Sequence, residues 1–293
     1  MFPCFAPSPI MPVVGASVFG ALSLVHAWLA WKKKALFLLM NVYAGLAMTA
    51  GMLIRCVLAR DNSRPRDLTF EAMSLLLAGP ISVLSFMLIM TYTRMIWLVT
   101  SPEQRNLATL WLPPAFQTTL IATPQILADT IIFLGSGTLV IKPPPRYMAY
   151  YGAVLEAIGW ISFTILVVRF VCMNKRNKWP IMDGESQKKA QRLGLALCAS
   201  CALLVVCGVA RVFERRDITT LQDLHEEEAS LMSTTEWPVY TFEYLPVAAI
   251  MVIMGMFYPG CYLPKRLTGF RLRVKGLIKE DEEKRRMVNT DKK

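Results

Sequence analysis

The sequence predicts an all-α, polytopic membrane protein, a bundle of seven transmembrane helices with its N-terminus outside and its C-terminus in the cytoplasm. Three observations carry that expectation. Apolar residues are gathered into seven blocks of about 20, the length that crosses about 30 Å of hydrocarbon as a helix. Of the 293 residues, 54% are hydrophobic and the mean hydropathy is +0.41, where a soluble domain is roughly 45–50% apolar. With the N-terminus outside, 23 of the 32 Lys and Arg fall on the inner side and 9 on the outer, the bias that sets topology in inserted bundles.

Each span is justified by its own flanks. After an external segment, 1–11, span one is 12–31; it has no basic region before it, so it reads as a retained span and not a cleaved signal. It closes on Trp28, Trp31 and Lys32-Lys33-Lys34, an aromatic anchor and a cationic stop. Span two, 35–54, is free of charge and carries Ala47 and Gly51 at a spacing that lets helices approach closely. Span three is 72–93. The apolar stretch 107–141 is too long for one crossing, and Pro113-Pro114 and Gly135-Ser136-Gly137 mark span four as 115–134. Span five, 147–168, is interrupted by Glu156; span six is 190–212 and span seven 241–263. The remainder, 264–293, is a basic cytoplasmic tail that turns to mixed charge.

The net charge of +11 does not indicate nucleic acid, because the basic residues lie between and after the apolar blocks. They serve topology and contact with anionic lipid. Seven cysteines are scattered with no disulfide framework or metal spacing, and Cys198-x-x-Cys201 reads as small packing residues. With two His and no ligand cluster, no metal and no cofactor are expected.

Within this topology the charged residues of the spans gather in the outer half. Arg55, Asp129, Arg211 and Glu214 lie late in outward-running spans, and Glu156 and Glu243 early in inward-running ones. A central acid costs about 2.5–3.5 kcal/mol on insertion scales, so Asp129 and Glu156 are expected to face protein or water. Gly152 and Gly159 flank Glu156 on its face and leave room for a helix or a ligand. The stretch 211–243 carries Arg211 and Glu214 three apart and Glu236, Tyr240 and Glu243 at helical spacing, so each set shares a face at a span boundary. Acids in excess over arginines suit the amine head group of an amphiphile. Lone His26 reads as a packed histidine.

These motifs resemble a known family, the fungal lipid-translocating exporters of the aminocholesterol-resistance (RTA-like) type. The resemblance rests on Arg211-x-x-Glu214, on Glu236-Trp-x-x-Tyr240-x-x-Glu243 and on Tyr258-Pro-Gly260, and extends over roughly 43–264. Gly51 to Arg55, Pro80 with Arg94, and Asp129 with Gly135 and Gly137 also match. The chain is a divergent member, with Met48 in place of an acid and Cys207 in place of an arginine.

The resemblance implies translocation or export of lipids or amphiphilic compounds, such as sphingoid bases, sterol-like molecules or toxic metabolites. Such a protein is not an enzyme. No G-x-x-x-x-G-K-[ST] occurs, so the expected transport is not driven by ATP. The expected binding residues are Asp129, Glu156, Arg211, Glu214, Tyr240, Glu243, Arg55 and Glu236, and the expected partner is a membrane lipid or amphiphilic small molecule. The plasma membrane is the expected location, an internal membrane the alternative. Two other functions fit the topology: a seven-span receptor or sensor, and an intramembrane enzyme such as a terpene cyclase that uses a buried carboxylic acid.

Overall fold

The computed structural model describes residues 10–60, 67–99, 114–135, 147–176, 184–223 and 237–263. The expected tail, and all but the last two residues of the expected N-terminal segment, lie outside them. The described chain is helical: α1 (Ile10–Lys33), α2 (Leu39–Arg60), α3 (Asp67–Val99), α4 (Pro114–Gly135), α5 (Met148–Arg176) and α6 (Gly184–Asp223). The last, α7, is composite, with Trp237–Val239, a π-helical turn Tyr240–Tyr244 and Leu245–Met256 in succession. Each expected apolar block overlaps one of these seven helices.

Six of them are long and apolar enough to cross a membrane. α4 has 22 residues, enough for about 33 Å. It carries Gln125 and Asp129, polar groups that face neighbouring helices. Four helices, α2, α3, α5 and α6, overrun the expected spans by five residues or more at an end. Arg55 stands within α2, before its end at Arg60, and α6 continues from Arg211 through another three turns to Asp223.

The helices pack in chain order, each on the next, and α7 returns onto α1 to close the ring. α3 also packs across the bundle on α6. Burial follows that plan, with half or more of the apolar window buried in α3 and α6 (50% and 56%) against 28% in α1. The core is filled by Leu84, Met87 and Leu88 of α3, Met48 and Met52 of α2, Phe163 of α5, Leu204 of α6 and Met251 and Met254 of α7. Tyr92 meets Phe163 and Phe170 edge-on, with ring centroids 5.5 and 5.7 Å apart. Leu24, Trp31, Ile165, Leu195 and Met256 point outward, the arrangement of a bundle whose solvent is apolar.

Close helix approach is set by small residues. A side chain at Gly51 would strike Leu77, and one at Gly208 would come within 2.9 Å of the Trp160 ring and 3.2 Å of the Ala157 backbone. At the α1–α2 turn Lys34 takes φ 51°, and the amides of Lys34 and Ala35 bond back to the carbonyls of Trp31 and Ala30 at 3.3 Å. Those two bonds cap α1 with a left-handed residue, a place that favours glycine.

Candidate functional site

Three prolines fall where the bundle's polar side chains converge. Pro80 lies inside α3, Pro124 inside α4, and Pro246 follows the π-helical turn of α7. Each removes a backbone N–H and frees a carbonyl one turn earlier. In α7, Pro246 cannot donate to Phe242, and the preceding amide, Leu245, closes a wider turn onto Tyr240. A π-helical turn of this kind places side chains off the ordinary helical register.

The centre of the cluster is Arg211. Its Nη1 donates to Glu156 of α5, 3.0 Å to Oε1 and 3.3 Å to Oε2, and its Nε donates to Oε1 of Glu243 at 3.1 Å. Nη2 reaches the carbonyl of Ala78 in α3 at 3.5 Å, beside Pro80. One guanidinium therefore ties α3, α5, α6 and α7. Glu156 is 0% exposed and Arg211 7%, so the pair is held in the protein interior. The close approach at Gly208 explains how they meet, because it draws α5 onto α6 three residues before Arg211.

Asp129 adds a third carboxylate. It accepts a hydrogen bond from Ser82 of α3 and lies within electrostatic range of Arg211 and Glu156, without an ion pair to either. Glu214 and Arg215, one turn beyond Arg211, lie within electrostatic range of Glu243. Between α6 and α7 a crevice lined by Ala210, Glu214, Pro238, Val239 and Glu243 leads to the edge of the cluster. On its other flank, the Arg55 guanidinium lies over the Tyr240 ring, 5.4 Å from its centroid, and Tyr244 meets Tyr240 edge-on at 5.3 Å. Glu236 lies outside the described residues.

The seven expected residues that are described lie in or beside this cluster, with a difference in setting. Arg211 is at no helix end; it is a mid-helix residue whose charge is met from three sides. The space beside Gly152 and Gly159 is taken by α4: Ala128 and Ile132 press on Gly152, and the Gln125 side chain fills the place of a Cβ at Gly159. Gln125 is buried and donates to the backbone carbonyl of Glu156 at 3.5 Å.

Gln125 and Ser82 are members of the site that the sequence did not single out, and Cys207, noted only as a departure from the family pattern, joins them. Gln125 precedes Asp129 by one turn, and Cys207 precedes Arg211 by one turn and donates its thiol to the Glu243 carbonyl at 3.6 Å. Helical spacing from an acid or an arginine already noticed was the available signal. His26 is packed, as expected: its Nε2 donates to the Met251 carbonyl at 2.9 Å. Among the described residues no cluster of His, Cys, Asp and Glu has the makings of a metal site.

The family model described as RTA1 like protein matches residues 41–266, which takes in α2 to α7 and the whole Arg211 cluster. The chain belongs to the RTA1-like family. Neither a curated protein nor a solved structure matches it. In this RTA1-like protein the motif Arg211-x-x-Glu214 supplies the central cation and the acid at the crevice, and Tyr240-x-x-Glu243 supplies the ring under Arg55 and the second carboxylate bonded to Arg211. Tyr258-Pro259-Gly260 closes α7, where Gly260 lets the Tyr258 ring and Ala35 lie against it.

Proposed function

We propose that this RTA1-like protein translocates lipids or other amphiphilic molecules with a cationic head group across the membrane. The observation that carries the reading is the imbalance of the buried cluster: Glu156, Glu243 and Asp129 surround one guanidinium, Arg211. Buried charge is retained at such cost only where it is paired or used. The surplus carboxylate is the partner of an incoming ammonium. Asp129, hydrogen-bonded to a neutral serine, is its first point of attachment, and Glu156 and Glu243 take it up as Arg211 yields.

In this reading Glu214 draws the cation toward the crevice, and Arg55 and Tyr240 flank the cluster. The apolar tail stays among the helices or in lipid. All seven helices span the membrane, with the N-terminus outside and the basic tail in the cytoplasm, and the plasma membrane is the site of action. The protein moves its ligand without converting it, driven by the ligand's own gradient or by that of a coupled ion.

Flux of a labelled long-chain base into liposomes holding the purified protein tests this. Asp129→Asn should lower flux about tenfold, the loss of one charge-assisted contact, with the protein still folded and inserted. Unchanged flux in both Asp129→Asn and Glu156→Gln would remove these acids from the site. No flux above that of protein-free liposomes would remove the translocator reading itself.

A further inference from the structure

A second polar cluster lies toward the other end of α7. From Glu243 to Met251 the helix rises about 12 Å, and there His26 of α1 bonds to the Met251 carbonyl while Asn41 of α2 bonds to the other ring nitrogen at 3.3 Å. A carbonyl only accepts, so Nε2 carries the proton and Nδ1 accepts from the Asn41 amide nitrogen. The Asn41 oxygen then points away from His26. It is buried with no hydrogen-bond partner in a residue that is 0% exposed. The Tyr258 ring lies beside His26, centroids 6.3 Å apart, and its hydroxyl is likewise buried and unpartnered in a residue 2% exposed.

Two orphaned polar groups on the neighbours of one histidine are costly to fold around. One is an acceptor, and the other both donates and accepts. An alcohol hydroxyl, which both donates and accepts, suits either of them. No Lys, Arg, Asp or Glu is bonded to His26, Asn41 or Tyr258 among the described residues, so the cluster has no fixed charge to hold an ion. Between it and Arg211 the interior is apolar and rich in buried methionine, with Met48, Met52, Met87, Met251 and Met254 in one cluster. Such side chains repack around a passing group more readily than branched ones.

We propose that His26, Asn41 and Tyr258 form a second binding station, one that takes a neutral hydroxyl of the amphiphile. This rests on the translocator reading and divides the path by chemistry. The Arg211 cluster captures an ammonium by charge, and the His26 cluster receives a hydroxyl by hydrogen bonds alone, from which release is easy.

Tyr258→Phe and Asn41→Leu test the station, with two probes carried in liposomes: hexadecylamine and its 2-hydroxy analogue. Both variants should lose about tenfold of the flux of the hydroxylated probe, the worth of one hydrogen bond, and keep that of hexadecylamine. The melting temperature in detergent should be unchanged or raised in Tyr258→Phe, since an unpaired buried hydroxyl is removed. A lowered melting temperature, with both probes slowed alike, would mean that the hydroxyl holds a structural water, and would overturn the proposal. Equal flux of the hydroxylated probe in variants and wild type would overturn it as well. Failure of the wild type to carry either probe would instead fall on the translocator reading, and the station would fall with it.

Discussion

Arg211 holds Glu156 and Glu243 at the same time, through Nη1 at 3.0 Å and Nε at 3.1 Å, so the two acids are joined through a guanidinium that neither can release alone. Removing that guanidinium leaves two carboxylates facing each other in the interior. Arg211→Met is expected to destabilise the fold by about 3–5 kcal/mol, the cost of an uncompensated buried charge. The double variant Arg211→Met/Glu156→Gln should recover part of the loss. Thermal unfolding in detergent reads both, and a double variant no more stable than Arg211→Met would contradict the pairing.

Glycine placement gives a paired prediction. Gly208→Ala drives a methyl against Trp160 and the Ala157 backbone and should lower stability by about 1–3 kcal/mol. Gly79→Ala meets nothing within 4 Å and should leave stability unchanged or slightly raised. Equal melting temperatures for the two variants would mean that the α5–α6 approach is not close.

Lys34 sits in a left-handed conformation at the end of α1, where a side chain is a disadvantage. Lys34→Gly should raise stability by up to about 1 kcal/mol. A fall in melting temperature would show that the lysine side chain matters more there than the backbone.

Pro246 bears on the π-helical turn. Pro246→Ala restores the N–H that can bond Phe242 and lets the turn relax to the ordinary register, which rotates Glu243 relative to Arg211. The coupling energy between Arg211 and Glu243, taken from a double-variant cycle, should shrink in the Pro246→Ala background. An unchanged coupling would show that packing, and not the proline, maintains the turn.

The helices were legible because lipid imposes a simple rule, a block of about 20 apolar residues for each crossing. Where helices end was less so. Arg211 was expected at a boundary because charge follows it in sequence, yet α6 continues through Glu214 and Arg215, whose charges lie within range of Glu243. That Asp129, Glu156, Arg211 and Glu243 share a depth could be read from the spans. Which acid pairs with Arg211 could not, since that depends on how Gly208 brings α5 onto α6 and on the π-helical turn, both outcomes of packing between distant segments. Gln125 went unnoticed because a neutral amide carries no signal until its neighbours are known.

The length of α6 has a mechanical consequence. Its 40 residues make a rod of about 60 Å, twice the hydrocarbon thickness. From Arg211 to the helix end at Asp223 is about 18 Å. A tilt of about 10° pivoting on Arg211 would carry that tip about 3 Å sideways, by the geometry of an 18 Å arm. Any tilt of α6 about the Arg211 clamp would therefore be largest at the helix ends.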